Sequence, residues 1–72
     1  MKLRFTYHAE SQALARHIHE SRVAETIRDF DWSDPASGNA TAYRKKFENG
    51  ILEVICVRKR KNEYLVLTTY YL

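Results

Sequence analysis

The chain has one cysteine, one proline, two glycines and one methionine in 72 residues. A single cysteine, Cys56, excludes an internal disulfide, and a small domain without such staples fits a reducing compartment. So few glycines and prolines exclude a fibrous or low-complexity chain. No apolar run approaches the roughly 20 residues that a membrane-spanning helix needs. The start, MKLRFTYHAE, carries charges where a secretory leader would be apolar. The expectation is a cytoplasmic protein with no membrane association. There is no glycine-rich phosphate loop and no nucleophile elbow, which speaks against nucleotide-binding folds and hydrolases.

What is present is ordinary globular material: 44% hydrophobic and 29% charged residues in a length that suits one domain, 1–72. The formal net charge is +3, too small by itself to argue for a polyanionic partner. Its distribution is more informative. Residues 1–39 hold five basic and six acidic side chains, whereas residues 40–72 hold seven basic and three acidic ones.

Leu3, Phe5 and Tyr7 alternate with Lys2, Arg4 and Thr6, the pattern of a short strand with one buried face. From His8 the period lengthens. Leu14 and Ile18, then Val23, Ile27 and Phe30, read as two short helices over about 8–16 and 20–30. The spacing shifts near His17–His19, and histidine tolerates left-handed backbone better than most residues; one continuous helix is the alternative. Asp31–Thr41 collects Asp, Ser, Pro, Gly and Asn and reads as one long loop. Trp32 would anchor that loop on the core.

Three strand candidates follow: Thr41–Phe47, Ile51–Arg58 and Glu63–Tyr71. A two-residue Asn49-Gly50 turn would pair Phe47 with Leu52, Lys45 with Val54 and Tyr43 with Cys56, setting Lys46 opposite Glu53. A two-residue Lys61-Asn62 turn would pair Cys56 with Leu67, Val54 with Thr69 and Leu52 with Tyr71. The expected architecture is α+β: two short N-terminal helices on one face of a four-stranded, mainly antiparallel sheet, in the order β-α-α-β-β-β. Tyr43, Phe47, Leu52, Val54, Cys56, Leu65 and Leu67 would face Leu14, Ile18, Val23, Ile27 and Phe30. The other face would hold Arg44, Lys46, Glu53, Ile55, Val57, Lys59, Tyr64, Val66, Thr68 and Tyr70.

Three groups could carry chemistry. His8 stands at a strand–helix junction, where an imidazole can stay exposed and move protons near neutral pH; its plain use is as an exposed junction residue. Arg44, Lys46 and Lys59, with Tyr64, Thr68 and Tyr70, would put cations and phenols on one face. Cations neutralise phosphates and rings stack on unpaired bases, although such a face can equally be a solvated sheet surface. Arg58-Lys59-Arg60-Lys61 is a basic turn that could grip a phosphate backbone or an acidic segment. His17 and His19 are two residues apart and would point away from each other on a helix, so no metal site or other cofactor is expected. Cys56, among Val54, Ile55 and Val57, reads as a packed thiol.

The stretch His8-Ala9…Arg16-His17-Ile18…Val23 resembles a family of small bacterial domains whose first helix typically reads H-A-x-x-R-M-x-x-R-G-I-S-x-x-x-V. Tyr43, the Asn-Gly hairpin, the apolar strand and the threonine-bearing last strand look similar as well. Gln12, Ala13 and His17 depart from the pattern, where it has Arg, Met and Gly. That family is grouped with barnase/EndoU/colicin/RelE-like nucleases, many of them toxins of toxin–antitoxin pairs. The resemblance implies a RelE/barnase-like fold and metal-independent RNA cleavage, with RNA or the ribosome as target and an antitoxin protein as partner. His8 would serve as acid or base, Arg44 with Arg16 or Lys46 would steady the phosphate, and Tyr70 or Thr68 would orient or donate a proton; Lys59 would add a phosphate contact. The alternative is a non-catalytic relative that binds RNA or a protein through the open sheet face.

Overall fold

A computed structural model describes all 72 residues, Met1–Leu72. The elements run β1 (Lys2–Phe5), α1 (Tyr7–Ala15), α2 (Glu20–Arg28), β2 (Trp32–Pro35), β3 (Thr41–Phe47), β4 (Gly50–Arg60) and β5 (Glu63–Tyr71). The strands form one sheet in the order β1-β5-β4-β3-β2. β1 runs parallel to β5, and every other pair is antiparallel. The sheet is therefore five-stranded and mixed, which overturns the expected four-stranded, mainly antiparallel sheet. The α+β class holds.

The additional strand is β2, inside the segment expected to be a loop. Its residues, Trp-Ser-Asp-Pro, are all exposed and lack strand periodicity. It forms because the chain returning from α2 is laid against β3, pairing Trp32 with Arg44 and Asp34 with Ala42. As an edge strand it tolerates Pro35, whose missing N–H would cost a bond in a central one.

The helix break follows backbone chemistry. Arg16 is the C-cap of α1, and His17 lies in the left-handed region at φ 55°. Ile18 N–H donates to Ala13 O at 2.8 Å and His17 N–H to Leu14 O at 3.4 Å. That is the bond pattern of a Schellman cap, with histidine in the position glycine usually takes. His19 then caps α2, its Nδ1 accepting from Ser21 N–H at 3.2 Å.

Both turns of the β3–β4–β5 meander contain two residues. The first is Glu48-Asn49, not Asn49-Gly50: Phe47 pairs with Gly50, Lys45 with Leu52 and Tyr43 with Val54. The register thus slips by two from the expected one, which preserves the faces but sets Arg44, rather than Lys46, opposite Glu53. Arg22 of α2 pins this hairpin. Its guanidinium lies 4.2 Å over the Phe47 ring and donates to Asn49 Oδ1 at 2.8 Å and the Tyr71 hydroxyl at 3.1 Å.

The second hairpin has the expected pairs at Leu52–Tyr71 and Val54–Thr69, but Cys56 pairs with Val66. Leu67 is an extra residue in β5, and Lys59 a compensating one in β4. Between these bulges the strand is turned over. Val66 is fully buried and Tyr64 packs against the core, where Leu65 and Leu67 were expected. The cause lies at the outer edge of β5. Up to Val66 its neighbour is β1; from Leu67 onward it is α1. Thr6 Oγ1 donates to Leu67 O at 3.1 Å, and Gln12 Oε1 accepts from Thr69 N–H at 3.3 Å.

The core joins Ala9, Ile18, Val23 and Ile27 from the helical layer to Leu52, Val54, Cys56 and Val66 from the sheet. Phe30 reaches the sheet as expected, its ring centroid 5.0 Å from that of Tyr43, but Leu14, expected to cover the sheet as well, is 73% exposed. α1 presents Ala9 instead, a side chain small enough to bring the helix close to β5.

Candidate functional site: the open sheet face and its basic end

The helices contact one face of the sheet, and the other carries four side chains in a single cross-strand row. Trp32 pairs with Arg44, Arg44 with Glu53, and Glu53 with Tyr70. At the centre is Glu53, only 4% exposed in the strand Ile51-Leu52-Glu53-Val54-Ile55. A buried carboxylate needs a charged partner and further hydrogen bonds. Arg44 Nε donates to Glu53 Oε2 at 2.6 Å, and Arg44 Nη1 donates to Asp34 Oδ2 at 2.5 Å. Asp34 and then Glu53 hold the guanidinium above its ordinary pKa. The Tyr70 phenol is pushed up first by the Glu53 carboxylate and then by burial. Around Arg44 the local charge is one cation against two carboxylates.

The residues expected to act together are therefore brought together only in part. Arg44 and Tyr70 meet through Glu53. Lys46 lies on the same face with its side chain exposed, while its backbone N–H donates to Asp31 Oδ2 at 2.7 Å. Thr68 is one row away, and its hydroxyl donates to Gln12 Oε1. Tyr64 and Val66 have turned to the helix side. His8 is exposed in the first turn of α1, one helical turn before Gln12, and Arg16 is exposed at that helix's C-cap. No hydrogen bond or ion pair joins His8 to Arg44 or Tyr70.

The sequence reading missed Glu53 as the centre of the face. Its signal was present: a lone acid inside an apolar central strand demands a buried cation. Gln12, a departure from the family pattern, has a structural use of its own. It satisfies a backbone donor and a hydroxyl on the outer edge of β5.

A stronger electrostatic feature lies at one end of the sheet. The end of β4 carries Arg58, Lys59 and Arg60 and the following turn Lys61, all exposed. The parallel pairing sets Lys2 beside Glu63 and Arg4 beside Leu65, adding two exposed cations from the other end of the chain. Glu63 is the one carboxylate among them, and it is shared: Arg4 Nη1 is 3.7 Å from one oxygen and Arg60 Nε 3.8 Å from the other. Lys59, the residue inserted by the bulge, belongs to this group.

No group of three or more His, Cys, Asp or Glu side chains is placed to hold a metal ion. No helix is long and apolar enough to cross a membrane. A scan against protein-family models, a search of curated proteins and a search of solved structures return no match to this chain.

Proposed function

We propose that this domain binds RNA without cleaving it, gripping backbone phosphates with the basic end of its sheet. One observation carries the reading: Lys2, Arg4, Arg58, Lys59, Arg60 and Lys61 share one end of the sheet with a single carboxylate, Glu63, which pairs only with Arg4 and Arg60. A cluster of exposed cations displaces the counterions condensed on a nucleic-acid backbone, and that release drives association. The resemblance of the first helix to a family grouped with RNA-directed proteins supports RNA as the polyanion. Arg44 is a poor candidate for a free phosphate ligand because Glu53 and Asp34 already engage it.

The test is a salt series on a labelled single-stranded RNA, with DNA of matching sequence beside it. Four or five neutralised phosphates predict a log–log slope near −3, from about −0.7 per phosphate for single strands. Charge reversal at Arg58, Lys59 and Lys61 should flatten the slope and weaken binding, and RNA should bind more tightly than DNA. Absence of binding at low salt, or a slope indifferent to the reversal, would sink the reading.

A second reading, a metal-independent endoribonuclease of the RelE toxin type, is favoured by one contact. Gln12 reaches Thr68, so the side of α1 that bears His8 stands next to the β5 end of the row holding Glu53 and Tyr70. In that reading His8 takes the proton of the ribose 2′-hydroxyl as it attacks the adjacent phosphate; the P–O5′ bond breaks, leaving a 2′,3′-cyclic phosphate, and the departing 5′-oxygen takes up a proton from solvent. Incubating purified protein with total RNA, wild type beside His8→Ala, distinguishes the two: fragments made only by the wild type would replace binding with cleavage.

A further inference from the structure

We infer that the outer edge of β1 and the cleft beside it form a docking site for an extended, positively charged apolar segment of a protein partner. On β1, Lys2 N–H donates to Asn62 O at 2.6 Å, and Thr6 N–H at the start of α1 donates to Val66 O at 3.0 Å. Bonding to β5 therefore uses the even-numbered residues. In a parallel ladder the intervening residues, Leu3 and Phe5, then turn their N–H and C=O groups away from β5. An unpaired strand edge is a template for a further strand.

Beside that edge lies a cleft of about 290 Å³ floored by Phe5, Ala13, Leu14 and Ile18. A second hollow of about 280 Å³ continues it past Leu14 to His17. Leu14 projects into this region 73% exposed. Glu10 and Glu20 stand at the rim, and neither forms an ion pair within the chain. An apolar floor with unpaired carboxylates above it complements an aliphatic side chain flanked by Lys or Arg. The same carboxylates repel a nucleic acid, so the cleft is distinct from the basic end of the sheet, whose Lys2 and Arg4 alternate with Leu3 and Phe5 on the opposite face of the strand.

A second copy of this chain is a poor occupant. Antiparallel pairing of two β1 strands would set Lys2 against Arg4 of the other copy on one face, and like charges directly opposite are destabilising. The partner strand instead places uncharged residues beside Lys2 and Arg4, and its apolar and basic residues over the cleft.

The experiment uses the full chain and a ten-residue peptide that alternates threonine with leucine and lysine, followed by calorimetry and by amide shifts. The expected result is saturable binding, with shifts at Leu3, Phe5 and Leu14. Replacing the peptide's lysines with glutamate should weaken binding at least tenfold, and N-methylating alternate peptide amides should do the same by removing strand pairing. Leu14→Glu, a change at an exposed position, should abolish binding with the helical circular dichroism retained. The paired reversal Glu10→Lys with Glu20→Lys should switch preference to the glutamate peptide. Equal binding of the lysine and glutamate peptides, no binding of either, RNA-induced shifts at Leu14 and Glu20, or a dimer that protects the Leu3 and Phe5 amides would each overturn the proposal.

Discussion

Arg44 and Glu53 face each other in register across β3 and β4, Nε to Oε2 at 2.6 Å, with Glu53 all but inaccessible to solvent. The pair fixes which residues of the hairpin oppose one another. Removing the cation alone strands a buried carboxylate, whereas removing both charges leaves an apolar surface. Arg44→Met should therefore lower the melting midpoint more than Arg44→Met with Glu53→Met. A double variant as unstable as the sum of the single variants would show that the two side chains are uncoupled.

His17 carries its left-handed φ of 55° just past the C-cap of α1, where a β-carbon is unfavourable. His17→Gly should raise stability by about 0.5–1 kcal/mol, the relief of strain being partly offset by a more flexible unfolded chain. Urea denaturation would show a higher midpoint with an unchanged slope. A loss of stability would mean that the imidazole makes a contribution beyond the cap.

Gln12 closes the outer edge of β5 where β1 ends. Gln12→Ala leaves the Thr69 N–H and the Thr68 hydroxyl without their acceptor. The expected cost is about 1–3 kcal/mol, the penalty for unsatisfied and partly buried polar groups. Amide exchange should speed up first at Thr69; unchanged protection there would show that water replaces the side chain without loss.

Burial pushes the Cys56 thiol up to about 12, against an ordinary value near 9. A group whose folded pKa is raised contributes fully below its unfolded pKa, and that contribution is lost as pH rises. Stability should thus begin to fall above pH 9 and continue falling toward 12, by at most about 1.4 kcal/mol per pH unit from this thiol. Tyr43, raised by burial, and Tyr70, raised by Glu53, steepen the decline above pH 10. Cys56→Ala should flatten the portion between pH 9 and 10. Alkylation of the native protein at pH 8.5 should proceed only as fast as the fold opens.

The periodic parts of the fold were legible in the residues. The alternation in Leu3 and Phe5, the spacing of Val23 and Ile27, and the break at His17 all mark elements that exist. β2 was not legible, because Trp-Ser-Asp-Pro has no strand preference and owes its conformation to β3. The inversion of Tyr64–Val66 was hidden for a related reason. Leu65 and Leu67 are as apolar as Val66, and the bulge that chooses between them is set by Thr6, about 60 residues earlier in the chain. At the candidate site, Arg44, Lys46, Thr68 and Tyr70 were assigned to the correct face. What those groups do to one another was not legible, because it depends on a two-residue slip of one hairpin.

The parallel contact between Lys2 and Glu63 also governs the order of assembly. The meander of β3, β4 and β5 closes through two-residue turns, at small entropic cost. β1 has no strand to pair with until β5 is in place, and joining them closes a loop of about 60 residues. The rate-limiting structure should therefore contain the meander and exclude the first strand. Truncating Leu3 to alanine should then speed unfolding and leave the refolding rate unchanged, while Val54→Ala should slow refolding. Equal effects on refolding would place the long-range closure inside the nucleus.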